Sequence, residues 1–314
     1  MAVRAKGHRF GGLLLREAID GYLFAAPTLI GLIVFSLGPF IASLYLSFTD
    51  FPGIKPPTWI GPANFVRMFT RDGLFLKSLW VTSYYTFVSV PLSLLSGFLV
   101  AVLLNQQVRG IVWYRSVWYL PTLVPAVANA VLWRWLLNKD FGLLNIALRT
   151  VGISGPGWLI QPQWTVPSLI AISLWGVGSA MLVNLAGLQG VPQHLYEAVE
   201  IDGGNFWDKF RHVTIPMISP ILFFNLVMGI IRSFQAFSLV YVLFRVASST
   251  TSTAGPDNAG LFFVLYLYRN AFEWFKMGYA SALAWILMLI ILFFTALTFR
   301  SSRSWVYYEG GRAR

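Results

Sequence analysis

Six long stretches of this chain contain no aspartate or glutamate: residues 22–48, 80–104, 116–137, 165–188, 217–244 and 279–299. Roughly 20 mostly apolar residues are needed for a helix to cross the hydrocarbon core of a bilayer, and each stretch meets that length. Backbone in lipid has no water to bond, so it must form helices or a closed barrel. Continuous apolarity over such lengths, rather than alternation, selects helices. The expected fold is therefore all-α and integral to the membrane, a bundle of six transmembrane helices with short extra helices at the N-terminus and in the loops. Only 11% of the 314 residues are charged, against about 25% in a soluble domain, so a soluble enzyme is excluded. An aromatic content of 17% equally excludes a disordered chain.

The spans divide the chain into an N-terminal segment 1–21, a membrane domain 22–300 and a tail 301–314. Arg4, Lys6, Arg9 and Arg16 precede the first span, which is too long for a signal peptide and ends in LYLSFTD without a small-residue cleavage site. It reads as an uncleaved helix with its N-terminus in the cytoplasm, and six spans return the C-terminus to the same side. On this assignment the cytoplasmic segments hold more Lys and Arg than the external loops, the expected bias. Trp113, Tyr114, Trp118 and Tyr119, and at the opposite boundary Trp133 and Trp135, suit interfacial anchors. The net charge of +11 forms no basic stripe, so the partner it implies is anionic lipid and not nucleic acid. Pro27, Pro39, Pro91, Pro121, Pro125, Pro167 and Pro220 lie in or at the spans. Proline is tolerated there when neighbouring helices or a wet cavity satisfy the freed backbone, which suits a bundle with an internal path.

Much chemistry is missing. The sequence has no cysteine, no phosphate-binding G-x-x-x-x-G-K-[ST] loop, no H-E-x-x-H and no G-x-S-x-G elbow. No catalytic site, metal site or bound cofactor is expected. Spans without acids also disfavour a proton-driven carrier, which relays protons through buried carboxylates or histidine. Any transport would then draw its energy from elsewhere.

The loop 189–216, QGVPQHLYEAVEIDGGNFWDKFRHVTIP, is predicted to be cytoplasmic yet is net acidic, with Glu197, Glu200, Asp202 and Asp208 against Lys209 and Arg211. Pro192 suits a first helical turn, Gly203 and Gly204 stop that helix, and Asn205 with Asp208 approaches a capping box for a second one. Surface helices on lipid usually carry Lys and Arg on the polar face. A helix–Gly–helix knob presenting carboxylates to a basic partner groove accounts better for this composition.

EAVEIDG, nine further residues and VTIP resemble the EAA motif of permease subunits in binding-protein-dependent ABC importers: EAA, three residues, G, nine residues, I-x-L-P. Glu197, Ala198, Gly203 and Pro216 match, and Val199 replaces the second alanine. LYLSFTDF, RWLLNKDFGLLN, NLAGLQGVPQHLYEA, SFQAFSLVYVL and LYLYRNAF…GYASALAWIL resemble the sugar-permease branch, the MalF/UgpA-like family of the MetI-like superfamily. The chain departs from that family's TGGGP after the fifth span, where it carries the longer FRVASSTTSTAGP.

The resemblance implies the type I ABC importer permease fold, in a bacterial or archaeal plasma membrane. It implies four kinds of function-bearing contact: a second permease, usually a different but related chain; a dimer of cytoplasmic ATPases that bind ATP and magnesium; an extracytoplasmic solute-binding protein; and the solute, a carbohydrate, polyol or glycerol-phosphate-like molecule. It also places Glu197, Ala198, Val199, Asp202, Gly203 and Pro216 at the ATPase contact, with Gly203 at the bend and Pro216 leading into the fifth span. From the residues themselves, Asn225, Arg232 and Gln235 fall near one helical face, with Asn184 in the fourth span as a further polar group. An intramembrane arginine usually faces a wet path or a partner, so these four are the candidate pathway residues. The rival readings are an ion-driven secondary carrier, a membrane enzyme, and a permease for a non-sugar solute.

Overall fold

The computed structural model describes residues 10–106, 108–245 and 254–307, with side chains from Leu15 onward. The cationic segment 1–9, the Ser/Thr-rich run 246–253 and residues 308–314 lie outside the described residues. The described chain is helical almost throughout. Its order is α1 (Phe10–Leu32), a π turn (Ile33–Leu37), α2 (Gly38–Ser47), α3 (Ala63–Thr70), α4 (Gly73–Leu104), α5 (Ile111–Tyr119), α6 (Ala126–Leu136) and α7 (Leu143–Thr150). There follow α8 (Pro162–Trp175), α9 (Gly178–Gln189), α10 (Gln193–Ile201), α11 (Phe206–Lys209), α12 (Ile215–Phe234), α13 (Ser238–Arg245), α14 (Phe263–Tyr268) and α15 (Met277–Ser302).

Four stretches are long and apolar enough to span a membrane: Leu15–Ser47, Gly73–Leu104, Phe206–Arg245 and Met277–Ser302. Two bent pairs occupy the places of the other two expected spans. The expected straight helix 116–137 is replaced by Ile111–Leu123 and Ala126–Leu136, which meet at 98°. The cause is local: Pro121 starts a 3-10 turn, Val124 turns extended at φ −72°, ψ 122°, and Pro125 both lacks an N–H and disfavours helix at the residue before it. The fourth place is taken by Pro162–Trp175 and Gly178–Gln189, bent by 46° at Gly176 and Val177. The first span begins well before residue 22, because α1 runs unbroken from Phe10. Pro27, Pro91, Pro167 and Pro220 lie inside continuous helices. Pro39 follows the π turn, where the Gly38 N–H reaches back to the Ile33 carbonyl.

The residues form two compact units. The first comprises the chain up to Val66 together with Asn270–Trp285. Here Thr49–Asp50 and Thr58–Trp59 pair antiparallel, Thr49 opposite Trp59. The buried Asn64 amide donates to the carbonyls of Ser47 and Thr49, both at 2.9 Å. Trp285 stacks obliquely on Phe40 at 4.6 Å and donates through Nε1 to Ser43 Oγ at 3.2 Å. Gly278 donates its N–H to the Phe51 carbonyl, and a Cβ on Gly278 would stand 2.1 Å from the Thr49 carbonyl oxygen.

The second unit comprises Arg67–Arg269 and the chain from Ile286. Its axis is α4, which packs against α8, α9, α12 and α14. Asp72 caps α4, its carboxylate accepting from the N–H groups of Leu74 and Phe75 and from the Tyr266 hydroxyl. At the other end Arg115 donates to the Leu104 carbonyl at 3.0 Å, a cation on a helix C-terminus. Small residues bring the backbones close, as is usual where helices have no hydrophobic effect to drive them together. A Cβ on Gly97 would meet the Ala180 Cβ at 3.0 Å, and one on Gly229 would meet Val90 at 2.9 Å. Phe98, Ala101, Leu104, Met181, Leu185, Leu188 and Ile218 form a core cluster near the loop that follows α9. Of the expected interfacial aromatics, Trp113, Tyr114, Trp118 and Trp135 are exposed, whereas Trp133 turns inward onto Trp175 at 5.6 Å.

Gly278→Ala is expected to destabilise the chain by ~1–3 kcal/mol, the usual cost of overpacking. Gly73→Ala, where a Cβ meets nothing within 4 Å, is the control. Melting midpoints of the two variants in detergent, read by size-exclusion chromatography after heating, make the comparison; equal midpoints would refute the Gly278 contact.

Candidate functional site

The acidic loop forms the helix pair its turn residues dictate. After α10 the chain reverses at Gly203, φ +79°. The Gly203 N–H bonds the Glu200 carbonyl at 3.0 Å and the Gly204 N–H bonds the Val199 carbonyl at 2.8 Å, the paired closure of a Schellman stop. Asn205 starts the next helix with a complete capping box: its side chain accepts from the Trp207 and Asp208 N–H groups, and Asp208 accepts from the Asn205 N–H at 2.8 Å. Lys209 pairs with Glu200 across the two helices, and the Tyr196 and Thr214 hydroxyls meet at 3.2 Å.

These contacts separate residues that hold the loop from residues it displays. Glu200 is spent on Lys209. Glu197 is exposed and, among the described residues, has no ion-pair or hydrogen-bond partner. Ala198 and Asp202 are exposed beside it, while Val199 is half-buried. Ile201, Phe206 and Trp207 are 86%, 65% and 70% exposed. Carboxylate and apolar surface together are what a protein contact requires.

The loop also differs from expectation at Pro216. The fifth span does not open there. It begins at Phe206 and runs helical to Phe234, and α13 completes the 40-residue span to Arg245 after a break at Gln235–Phe237. Proline lacks the N–H a helix interior needs. The π turn Phe210–Thr214 resolves this: the Ile215 N–H bonds the Phe210 carbonyl, and Pro216 falls in the first turn of α12.

Further along that helix lies a cavity of about 280 Å³. Asn225 and Arg232 line it, with Tyr85, Ser89 and Ser93 from α4, Ser173 from α8, Ser179 from α9, and Ser233. Phe224, Met228 and Gly229 supply its apolar wall. Asn184 stands behind this lining: Asn225 Nδ2 donates to Asn184 Oδ1 at 2.9 Å, which fixes the Asn225 amide. Asn184 is fully buried, and among the described residues its own Nδ2 has no partner. Gln235 is not part of the cavity; it caps the end of α12 and is exposed. Three of the four predicted pathway residues are therefore brought together. The hydroxyls of α4 were missed, although Tyr85, Ser89 and Ser93 recur every four residues and so share one helical face. Among the described residues no group of His, Asp or Glu is placed to hold a metal ion.

Residues 28–305 match the family described as "Binding-protein-dependent transport system inner membrane component". The chain belongs to this family. Its members are transport components rather than enzymes, and the family description places it in the inner membrane. Over 94% of both chains it is 39% identical to "Probable ABC transporter permease protein YesP" of Bacillus subtilis. It is 30% identical, over 93% of this chain and 96% of the other, to "Trehalose/maltose transport system permease protein MalF" of Thermococcus litoralis. Among solved structures, a chain of a bacterial ABC transporter "involved in the import of the acidic polysaccharide alginate" superposes with a TM-score of 0.79 at 23% identity, over 93% of this chain and 98% of that one. This last likeness establishes the permease fold.

Asn184→Ala is expected to lower transport several-fold, because the Asn225 amide loses its orienting partner. Residues in one hydrogen-bonded pair are non-additive, so the double variant with Asn225→Ala should transport no worse than Asn225→Ala alone. Initial uptake rates of the three variants check this; additive losses would mean that the two residues act separately.

Proposed function

We propose that this permease forms half of the translocation pathway of an ABC importer for a carbohydrate. Its companion is a second, related but different permease chain. A dimer of cytoplasmic ATPases binding ATP and magnesium supplies the energy, and an extracytoplasmic solute-binding protein delivers the sugar. Both termini face the cytoplasm.

The observation that carries this reading is the continuous helical stretch Phe206–Phe234. It bears the displayed end of the loop at Phe206 and Trp207, and the cavity residues Asn225, Arg232 and Ser233. In the proposed mechanism the ATPase grips the loop through Glu197, Ala198 and the apolar surface at Ile201. Closure of the ATPase dimer then moves this helix, and the cavity wall moves with it. The Glu200–Lys209 pair and the capping box keep the loop rigid enough to push rather than fold.

The lining supports a sugar. Hydroxyls and an amide donate to and accept from sugar hydroxyls, while the wall around Phe224 and Met228 takes the C–H faces. Similarity to the trehalose/maltose permease supports the same class.

A gentle detergent pull-down of the tagged chain from its native membrane, read by mass spectrometry, is expected to recover a second permease and an ATPase. Recovery of the chain alone, with uptake persisting after ATP depletion, would overturn the assembly. Glu197→Lys and Gly203→Asp are each expected to abolish uptake while the chain still reaches the membrane; the first reverses a displayed charge, and the second puts a side chain at φ +79°. Wild-type uptake by either variant would rule out a coupling role for the loop.

A further inference from the structure

We propose that the solute is an acidic sugar, held by its carboxylate on the Arg232 guanidinium and by its hydroxyls on the surrounding serines. The inference rests on the carbohydrate reading above and narrows it. The cavity lining contains one charged side chain, Arg232, and no aspartate, glutamate or histidine. Among the described residues Arg232 has no ion-pair or hydrogen-bond partner, while the rest of the lining is Tyr85, Asn225, five serines and apolar groups. Arginine stays ionised in a protein. A charge in a membrane segment is costly, and it is retained where it meets a partner or a solute.

The geometry of the guanidinium favours a carboxylate. Its planar donors match the two carboxylate oxygens in a paired arrangement. The charge balance points the same way. One guanidinium offsets one carboxylate, whereas a phosphate monoester carries about −1.5 to −2 near neutral pH and would leave charge over in a cavity with no second cation. A neutral sugar could accept from the guanidinium through its oxygens but would leave the positive charge unpaired.

Beyond the cavity, α13 carries a further group of aromatic and cationic side chains. Ser233, Phe237, Tyr241 and Arg245 recur every four residues. Phe237 and Tyr241 stack at 5.0 Å, Tyr268 closes on both at 5.1 and 5.2 Å, and the Arg245 guanidinium lies 5.0 Å from the Tyr241 ring centre. A second cation on an aromatic platform thus lies in α13, beyond the break that follows α12.

The test uses cells producing the intact transporter, offered acidic and neutral oligosaccharide fractions of digested polysaccharides separated on an anion exchanger. Depletion of each fraction from the medium is measured by chromatography. The wild type is expected to deplete the acidic fraction and leave the neutral one. Arg232→Gln should lower acidic uptake at least tenfold, and Arg232→Lys, which keeps the charge without the fork, should recover part of it. Both variants should still co-purify with the companion permease.

Depletion of the neutral fraction alone, or equal acidic uptake by Arg232→Gln and the wild type, overturns this inference and leaves the carbohydrate reading standing. Loss of the companion from the Arg232→Gln complex would show that the arginine pairs with that subunit and would also overturn it. Depletion of neither fraction would overturn the carbohydrate reading as well.

Discussion

Hydrocarbon offers a peptide group nothing to bond with, and every irregularity in this chain has to answer that constraint. The helices answer it by default. Where the ladder must be interrupted, the interruption is small and its cause is local. Pro39 and Pro216 are each preceded by a π turn, Ile33–Leu37 and Phe210–Thr214, which lets a preceding N–H reach one carbonyl further back. At Val124–Pro125 and at Gly176–Val177, by contrast, paired helices meet at 98° and 46°. A second consequence concerns packing. With lipid as apolar as the side chains, helices associate through close fit, and the glycines at 97 and 229 permit that fit around α4. The cavity lies where α4 meets the bent α8–α9 pair and α12, with serine and tyrosine hydroxyls alongside the apolar wall of Phe224 and Met228.

The acidic loop shows a different use of the same economy of parts. Two turn devices, the glycine stop and the asparagine capping box, fix the angle between short helices that would not be stable alone. One carboxylate, Glu200, holds the pair together, and its neighbour Glu197 is left for an outside contact. The two glutamates therefore hold different places in the loop, although they lie three residues apart and both are exposed.

What was legible in the sequence follows the range of the forces involved. Turn chemistry is local, so Gly203, Asn205 and Asp208 announced the loop correctly. Apolar runs are also local, so the membrane segments were found, though their ends were not: nothing in α1 or α11 stops a helix at the expected ends of the spans, and both continue past them. Arg232 and Asn225 stood out because polar groups in an apolar run are conspicuous. Ser173 and Ser179 did not, because they reach the same cavity from two sides of a 46° bend that no short window reveals. Gln235 had the right spacing but sits where α12 ends, and helical spacing says nothing beyond a terminus. The partner of Asn225 lies 41 residues away in the chain and only the packed helices show it.

The fusion of the loop's second helix with the fifth span has a mechanical meaning. From Phe206 to Arg232 the chain rises ~39 Å at ~1.5 Å per residue. A stiff rod of that length is a lever arm: pivoting it by ~5° about one end carries the other through ~3 Å, the reach of a single hydrogen bond. A displacement of that size is enough to make or break the grip of one side chain on a bound molecule. In the proposed mechanism the loop therefore needs no large movement of its own to empty or fill the cavity, and the stiffness of Phe206–Phe234 counts as much as any residue that lines it.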